Sequence, residues 1–97
     1  FPFVRMQVGD IRETATTFAN ERAFGLVHLD VDVYPITRYC LDFFGPRLVP
    51  GGVIVMDDYG TTTCEGVKKA MDEFREANAG FRVLHLLTGQ AVVTKLY

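Results

Sequence analysis

Strand-like and helix-like segments alternate along the sequence, and this alternation limits the available folds more than any other feature. Apolar runs that fit strands are separated by stretches in which apolar residues recur every three or four positions, as on one face of a helix. The predicted order is β-α-β-α-β-α-β-β. This order favours a three-layer, mostly parallel α/β sheet whose last two strands form an antiparallel hairpin.

Local signals place the boundaries of these segments. Pro35 suits the first turn of a helix that stops near Pro46, and Thr62 with Glu65 has the spacing of a capping box. Glycines in residues 50–52 and 88–90 predict turns. The expected strands are residues 3–8, 24–31, 53–56, 81–87 and 91–96, and the expected helices lie within residues 11–22, 35–46 and 62–80.

Length and composition exclude several classes of protein. The 97 residues fit a single domain, and 48% apolar with 23% charged residues is enough for a packed core. A formal charge of −2 is too balanced to indicate nucleic acid or an anionic membrane as a partner. The sequence has only two isolated cysteines, no signal-peptide pattern and no apolar run near the ~20 residues of a membrane span, so we expect a cytoplasmic protein.

Aspartates follow two of the buried strands. Asp30 and Asp32 come after the second predicted strand, and Asp57 and Asp58 come after the third. If these strands are neighbours, their ends lie about 5 Å apart. Like charges at this spacing need a cation or raised pKa values. Carboxylate ligands favour a hard cation such as Mg²⁺, Mn²⁺ or Ca²⁺ over zinc, and a carboxylate left off the metal can act as a general base.

Each of these residues also has a purely structural interpretation. An aspartate after a strand often closes a turn or caps the next helix, and Asp10 after the first predicted strand fits either such a cap or a ligand contact. His28 lies two residues before Asp30. We expect its side chain either to be hydrogen-bonded in the core or to hydrogen-bond a residue that binds the metal.

Three segments together resemble one known family. Residues 28–34 read HLDVDVY, residues 46–55 read PRLVPGGVIV and are followed by DDYG at 57–60, and residues 66–74 read GVKKAMDEF. In this order and spacing they resemble the macrocin O-methyltransferase family over nearly the whole chain. The resemblance implies a class I, S-adenosylmethionine-dependent methyltransferase that methylates a hydroxyl of a natural-product sugar.

The resemblance also assigns roles to individual residues. It implies Asp30, Asp57 and Asp58 as ligands of Mg²⁺ or Mn²⁺, Asp32 as the general base, and Asp10 as a residue near the adenine of S-adenosylmethionine. The implied reaction is in-line attack of a small-molecule hydroxyl acceptor on the sulfonium methyl group, assisted by the metal.

The resemblance begins at the third strand of the family's sheet, whose order is 3-2-1-4-5-7-6. The sequence therefore corresponds to the C-terminal part of the fold, without the first two strands and the Gly-rich cofactor loop. Strands 1 and 2 of the family would separate residues 3–8 from residues 25–31. We therefore expect either a rearranged N-terminal segment or a homo-oligomer formed through the free 25–31 strand edge.

Two other functions remain open on the sequence alone. The chain can be a non-catalytic α/β module or gene fragment that retains a cation site and associates with itself. It can also belong to a catechol-type, metal-dependent methyltransferase that acts on a phenolic hydroxyl, because such enzymes have a similar acidic arrangement. Binding of S-adenosylmethionine separates the first alternative from an enzyme.

Overall fold

The computed structural model describes residues 3–18, 23–57, 59 and 65–97, and it shows a four-stranded α/β sheet with helices. Asp58 and Thr62, the residue predicted to cap α3, lie outside the described residues. The elements are α1 (Ile11–Thr14), a 3₁₀ turn (Ala15–Phe18), β1 (Phe24–Leu29), α2 (Tyr34–Arg47), β2 (Leu48–Met56), α3 (Glu65–Ala77), β3 (Phe81–His85) and β4 (Ala91–Lys95).

The sheet has the strand order β1-β2-β4-β3. β1 and β2 are parallel, in register from Leu26 opposite Val53 to Leu29 opposite Met56. β4 is antiparallel to both β2 and β3, so β1, β2 and β3 run in one direction and β4 in the other. The predicted α/β fold with an antiparallel hairpin is confirmed. β4 lies between β2 and β3, as the end of the resembled sheet order, 4-5-7-6, implies.

β2 is longer than predicted, because the expected turn at residues 50–52 lies within the strand. The register against β1 shifts here, from Phe24 opposite Leu48 to Leu26 opposite Val53. Gly51 has a φ of 82°, in the left-handed region that favours glycine. The Pro-Gly-Gly sequence therefore forms an irregularity in a continuous strand, as β-bulges do.

α2 begins and ends close to the predicted positions. Pro35 lies in its first turn, where a missing N–H costs nothing, and Pro46 lies in its last turn. The hydroxyl of the fully buried Thr37 donates to the carbonyl of Val33 at 2.8 Å. Apolar spacing predicts a buried face of Ile36, Tyr39, Cys40, Phe43 and Phe44. The buried residues are instead Thr37, Cys40, Leu41, Phe44 and Gly45, so the buried face is rotated from the predicted one.

The close approach of α2 and α3 explains this rotation. A Cβ added to Gly45 would lie 2.8 Å from the ring of Phe74, so glycine lets the two helices meet there. Phe74 in turn packs edge-on against Phe81 of β3 at 5.0 Å between ring centroids. Apolar spacing in α3 predicts a buried stripe of Val67, Ala70, Met71, Phe74 and Ala77. The first four are buried, and Ala77 in the last turn is exposed.

One face of the sheet packs against the helices and the other does not. Val27 and Leu29 are buried with Ile54, Met56 and Val93 in a core shared with α2 and α3. No helix among the described residues covers the opposite face, so this part of the chain supplies two of the three expected layers. By strand alternation and register, this open face consists of Leu26, His28, Val53, Val55, Arg82, Leu84, Val92 and Thr94.

The prediction of a strand at residues 3–8 is wrong. This segment forms no ladder with a described strand, and Phe3, Met6 and Val8 are at least 82% exposed. The residues after it form α1, which lies against α2, where the hydroxyl of Tyr39 contacts the carbonyl of Arg12 at 3.5 Å. The apolar pattern alone does not make a strand, because a strand needs a neighbour to satisfy its backbone groups. Within the described residues, the outer edge of β1 is consequently unpaired.

Candidate functional site

The candidate site lies at the carboxyl ends of β1 and β2. The backbone N–H of Asp57 donates to the carbonyl of Leu29 at 3.0 Å, which extends the parallel ladder one step beyond β2. Since Leu29 is opposite Met56, the next residues, Asp30 and Asp57, follow neighbouring strand ends. Neighbouring strands are about 4.8 Å apart. The two aspartates are therefore brought to one end of the sheet.

The side chain of Asp57 is held from both sides. Gln90, just before β4, donates its amide N–H to Oδ1 at 2.5 Å, and Nε2 of His28 on β1 lies 3.0 Å from Oδ2. Strand alternation places all three side chains on the side of the open face. The Asp57 side chain is 25% exposed, so its carboxylate is partly sheltered yet still reachable from solvent.

Asp30 and Asp32 are exposed, and they are the other described members of the predicted acidic cluster. In the part of the chain that the structure describes, no group of three His, Cys, Asp or Glu side chains is arranged to hold a metal ion. Asp58, the remaining predicted ligand, lies outside the described residues. The carboxylate oxygens that are present are of the type that Mg²⁺ and Mn²⁺ prefer.

Asp10 lies in a different setting, as the N-cap of α1. It accepts a hydrogen bond from the backbone N–H of Arg12 at 2.9 Å and forms an ion pair with the guanidinium at 2.7 Å. These hydrogen bonds from Arg12, first from its side chain and then from its backbone, lower the pKa of Asp10 to about 2. Of the two roles predicted for Asp10, the helix cap is the one that the geometry displays.

Two tyrosines connect the segments that follow β1 and β2, which carry the aspartates, to α3 by hydrogen bonds. The hydroxyl of Tyr34, two residues after Asp32, donates to Glu73 at 2.5 Å. The hydroxyl of the buried Tyr59, two residues after Asp57, donates to Asp72 at 3.1 Å. Each segment that carries acidic residues is thus fixed to the same helix, which limits how far the two can move apart.

Gln90 is the site residue that the sequence analysis missed, because it was assigned only to a turn. Met56 is opposite Ala91 in the antiparallel β2–β4 ladder, so the next residues, Asp57 and Gln90, face each other across the two strands. That register is a long-range property of the sheet. The sequence signal that could have identified Gln90 is that a polar residue directly precedes a buried strand.

The family model described as macrocin-O-methyltransferase (TylF) matches residues 2–92. The chain belongs to this family. It is 34% identical over 73 residues to mycinamicin III 3''-O-methyltransferase of Micromonospora griseorubida, covering 75% of this chain and 27% of that protein. It is 36% identical over 50 residues to 8-demethyl-8-(2,3-dimethoxy-alpha-L-rhamnosyl)-tetracenomycin-C 4'-O-methyltransferase of Streptomyces olivaceus, covering 52% of this chain and 18% of that protein.

A solved structure has the same fold. CalS11, a TDP-rhamnose 3'-O-methyltransferase in calicheamicin biosynthesis, superposes with a TM-score of 0.72 at 25% identity, covering 89% of this chain and 38% of that one. The sheet is therefore that of a Rossmann-like methyltransferase. This member of the macrocin O-methyltransferase family covers 27% of the length of mycinamicin III 3''-O-methyltransferase, roughly a quarter. Over the described residues, no helix is both long enough and apolar enough to cross a membrane.

Proposed function

We propose that this chain is part of an S-adenosylmethionine-dependent O-methyltransferase whose acceptor is a hydroxyl group on a natural-product sugar. The observation that carries the proposal is the match of the family model to residues 2–92. Two similar proteins have names that specify methylation of rhamnose or of a rhamnosyl compound, which supports a sugar as the acceptor. A cytoplasmic location remains an expectation from the sequence.

A divalent metal site is the second part of the proposal. Asp30, Asp57 and Asp58 are the proposed ligands of Mg²⁺ or Mn²⁺. Support comes from the parallel pairing of β1 and β2, which brings Asp30 and Asp57 to one sheet end. When bound there, such a cation would lower the pKa of the acceptor hydroxyl.

The remaining residues have proposed roles in proton transfer and cofactor binding. The exposed carboxylate of Asp32 takes the proton of the acceptor hydroxyl as general base. The hydroxyl oxygen forms a bond to the methyl carbon while the carbon–sulfur bond breaks, and its electron pair stays on sulfur. Asp10 contacts the adenine of S-adenosylmethionine. Because Arg12 already forms an ion pair with the Asp10 carboxylate, the adenine would compete with Arg12 for it.

Self-association through β1 is a further part of the proposal. The outer backbone edge of β1 has no partner strand among the described residues, and Leu26 on this strand is 65% exposed. A second copy of the chain would satisfy the backbone groups of this edge. Sedimentation velocity over a range of concentrations checks this. A monomer at all concentrations, with the amides of β1 that face away from β2 exchanging freely, would contradict it.

The metal and cofactor proposals are tested by calorimetric titration. Mg²⁺ and Mn²⁺ are titrated into the wild type, Asp57→Asn and Asp42→Asn, first alone and then with S-adenosylmethionine present. Asp42 is a matched control because it lies on α2, where its carboxylate pairs with Arg38 at 3.3 Å. We expect Asp57→Asn to lose most of the metal affinity and Asp42→Asn to keep it.

The same titration distinguishes the alternative functions. Metal binding together with cofactor binding supports the methyltransferase and justifies a screen of sugar and phenolic acceptors. Metal binding without cofactor binding supports a non-catalytic module with a cation site. Absence of metal binding in the wild type would contradict the proposed site.

A further inference from the structure

Gln90, Asp57 and His28 form a polar bridge across three adjacent strand ends. We propose that Gln90 is a positioning residue, which holds the carboxylate of Asp57 in the orientation that binds a hard divalent cation. The inference rests on the metal site of the proposed function. Gln90 itself is assigned no contact with the metal, the cofactor or the acceptor.

The sheet register makes the contact between Gln90 and Asp57 specific. β1, β2 and β4 are consecutive in the sheet, and Asp57 follows the middle strand of the three. Gln90 contacts Oδ1 from the β4 side at 2.5 Å, while His28 lies 3.0 Å from Oδ2 on the β1 side. A carboxylate held at both oxygens cannot rotate freely. Each carboxylate oxygen can accept two bonds, so one acceptor position on each stays open for a cation.

The hairpin turn fixes Gln90 in place. The backbone N–H of Leu86 donates to the carbonyl of Gln90 at 2.7 Å, and that of Gly89 donates to Leu86 at 3.1 Å. Gly89 has a φ of 90°, which this turn requires and which residues other than glycine rarely adopt. The hydroxyl of Thr88 lies 3.3 Å from Oε1 of Gln90. With Oε1 directed at Thr88, the amide nitrogen is directed at Asp57.

The chemistry of an amide suits this position. Its N–H donates to a carboxylate at every pH, and it adds no charge. A lysine or arginine would form a stronger bond to Asp57, but its positive charge would repel the cation that the carboxylate is proposed to bind. A glutamate would have no N–H to donate at neutral pH and would repel Asp57. A neutral donor therefore orients the ligand without weakening its attraction for metal.

The test is a Mn²⁺ titration of the 97-residue wild type, Gln90→Met, Thr88→Val and Gln7→Met. Methionine is similar in length to glutamine and has no N–H donor. Gln7→Met is the matched control, because Gln7 contacts Thr17 on the N-terminal segment instead. Partners that hydrogen-bond a metal ligand typically contribute 10–100-fold to metal affinity. We expect about a tenfold or larger loss for Gln90→Met, a smaller loss for Thr88→Val, and no change for Gln7→Met.

A second readout separates positioning from folding. The relaxation rate of water protons in the presence of bound Mn²⁺ rises with the number of waters on the metal. If Asp57 is no longer oriented in Gln90→Met, water replaces it, and the rate per bound Mn²⁺ should rise. The circular dichroism spectrum should stay that of the wild type.

The outcomes are distinct. If the wild type binds no Mn²⁺, the proposed metal site fails and this inference fails with it. If the wild type binds Mn²⁺ and Gln90→Met binds it equally well with the same relaxation rate, only the inference is overturned. If Gln90→Met does not fold, Thr88→Val decides: weaker binding supports the inference, and unchanged binding overturns it.

Discussion

The two faces of the sheet differ in what they contribute. On the face that packs against α2 and α3, Leu29 is 7% exposed, and Ile54 and Val93 are fully buried. On the open face, Leu26 is 65% and Leu84 is 59% exposed, although these residues lie on the same or adjoining strands. The His28–Asp57–Gln90 bridge lies at the end of the open face. The buried side chains that stabilise the fold therefore lie on one face of the sheet, and the polar bridge lies at one end of the other face.

The largest expected effect compares two leucines of β1. Leu29→Ala should lower the free energy of unfolding by about 2–5 kcal/mol, because it leaves a cavity in the core. Leu26→Ala should change it by no more than about 0.5 kcal/mol, as is usual for exposed side chains. Urea unfolding followed by circular dichroism measures both. Equal losses would mean that the open face is covered in solution, and would favour self-association through it.

A smaller effect is expected from two glycines, one packed between helices and one with open space around it. Gly45→Ala places a Cβ 2.8 Å from the Phe74 ring between α2 and α3. Overpacking of about 1–3 kcal/mol should exceed the gain of about 1 kcal/mol from helix propensity, so the variant should be less stable. Gly25→Ala meets no atom within 4 Å on the exposed strand edge and should be neutral or slightly stabilising.

Thermal unfolding of these two glycine variants checks the sign of each change. If Gly45→Ala unfolds at the same temperature as the wild type or higher, α2 and α3 can move apart at little cost. The close approach at Gly45 would then not determine which face of α2 is buried.

The smallest effect is expected at Asp10, which lies on the helical side of the molecule but is exposed. Its pKa is lowered from 3.8 to about 2 by Arg12, so its ion pair stabilises the folded chain above pH 3.8 and is lost as the pH falls through about 2. Asp10→Asn keeps a capping side chain and loses the charge. Its melting temperature should be below that of the wild type at pH 6, and the difference should shrink as the pH falls from about 4 towards 2. A difference that is unchanged between pH 6 and pH 2, or survives 1 M salt, would contradict this explanation.

The helices and strands that depend on local pattern were predicted well. The buried stripe of α3 follows directly from apolar spacing, and α2 ends near Pro46 as expected. The sequence did not predict that Thr37 and Gly45 are buried, because their burial depends on how closely α2 and α3 approach. The prediction of a strand at residues 3–8 was wrong for a related reason, since apolar alternation does not show whether a neighbouring strand exists.

The candidate site was predicted in part. The proximity of Asp30 and Asp57 follows once β1 and β2 are taken as neighbours, and the structure pairs these strands in parallel. The role of Gln90 beside Asp57 depends on the antiparallel register of β2 and β4, which joins residues 33 positions apart. No local pattern contains that register.

The position of β4 between β2 and β3 has a consequence for synthesis of the chain. β4 is the last of the four strands to leave the ribosome, yet it takes part in two of the three strand pairings. Until residues 91–95 emerge, β3 has no strand beside it and Gln90 cannot be held against Asp57. α2, α3 and both strands of the β1–β2 pair precede β4 in the chain, so the four-stranded sheet and the polar bridge can be completed only once residues 91–95 are present.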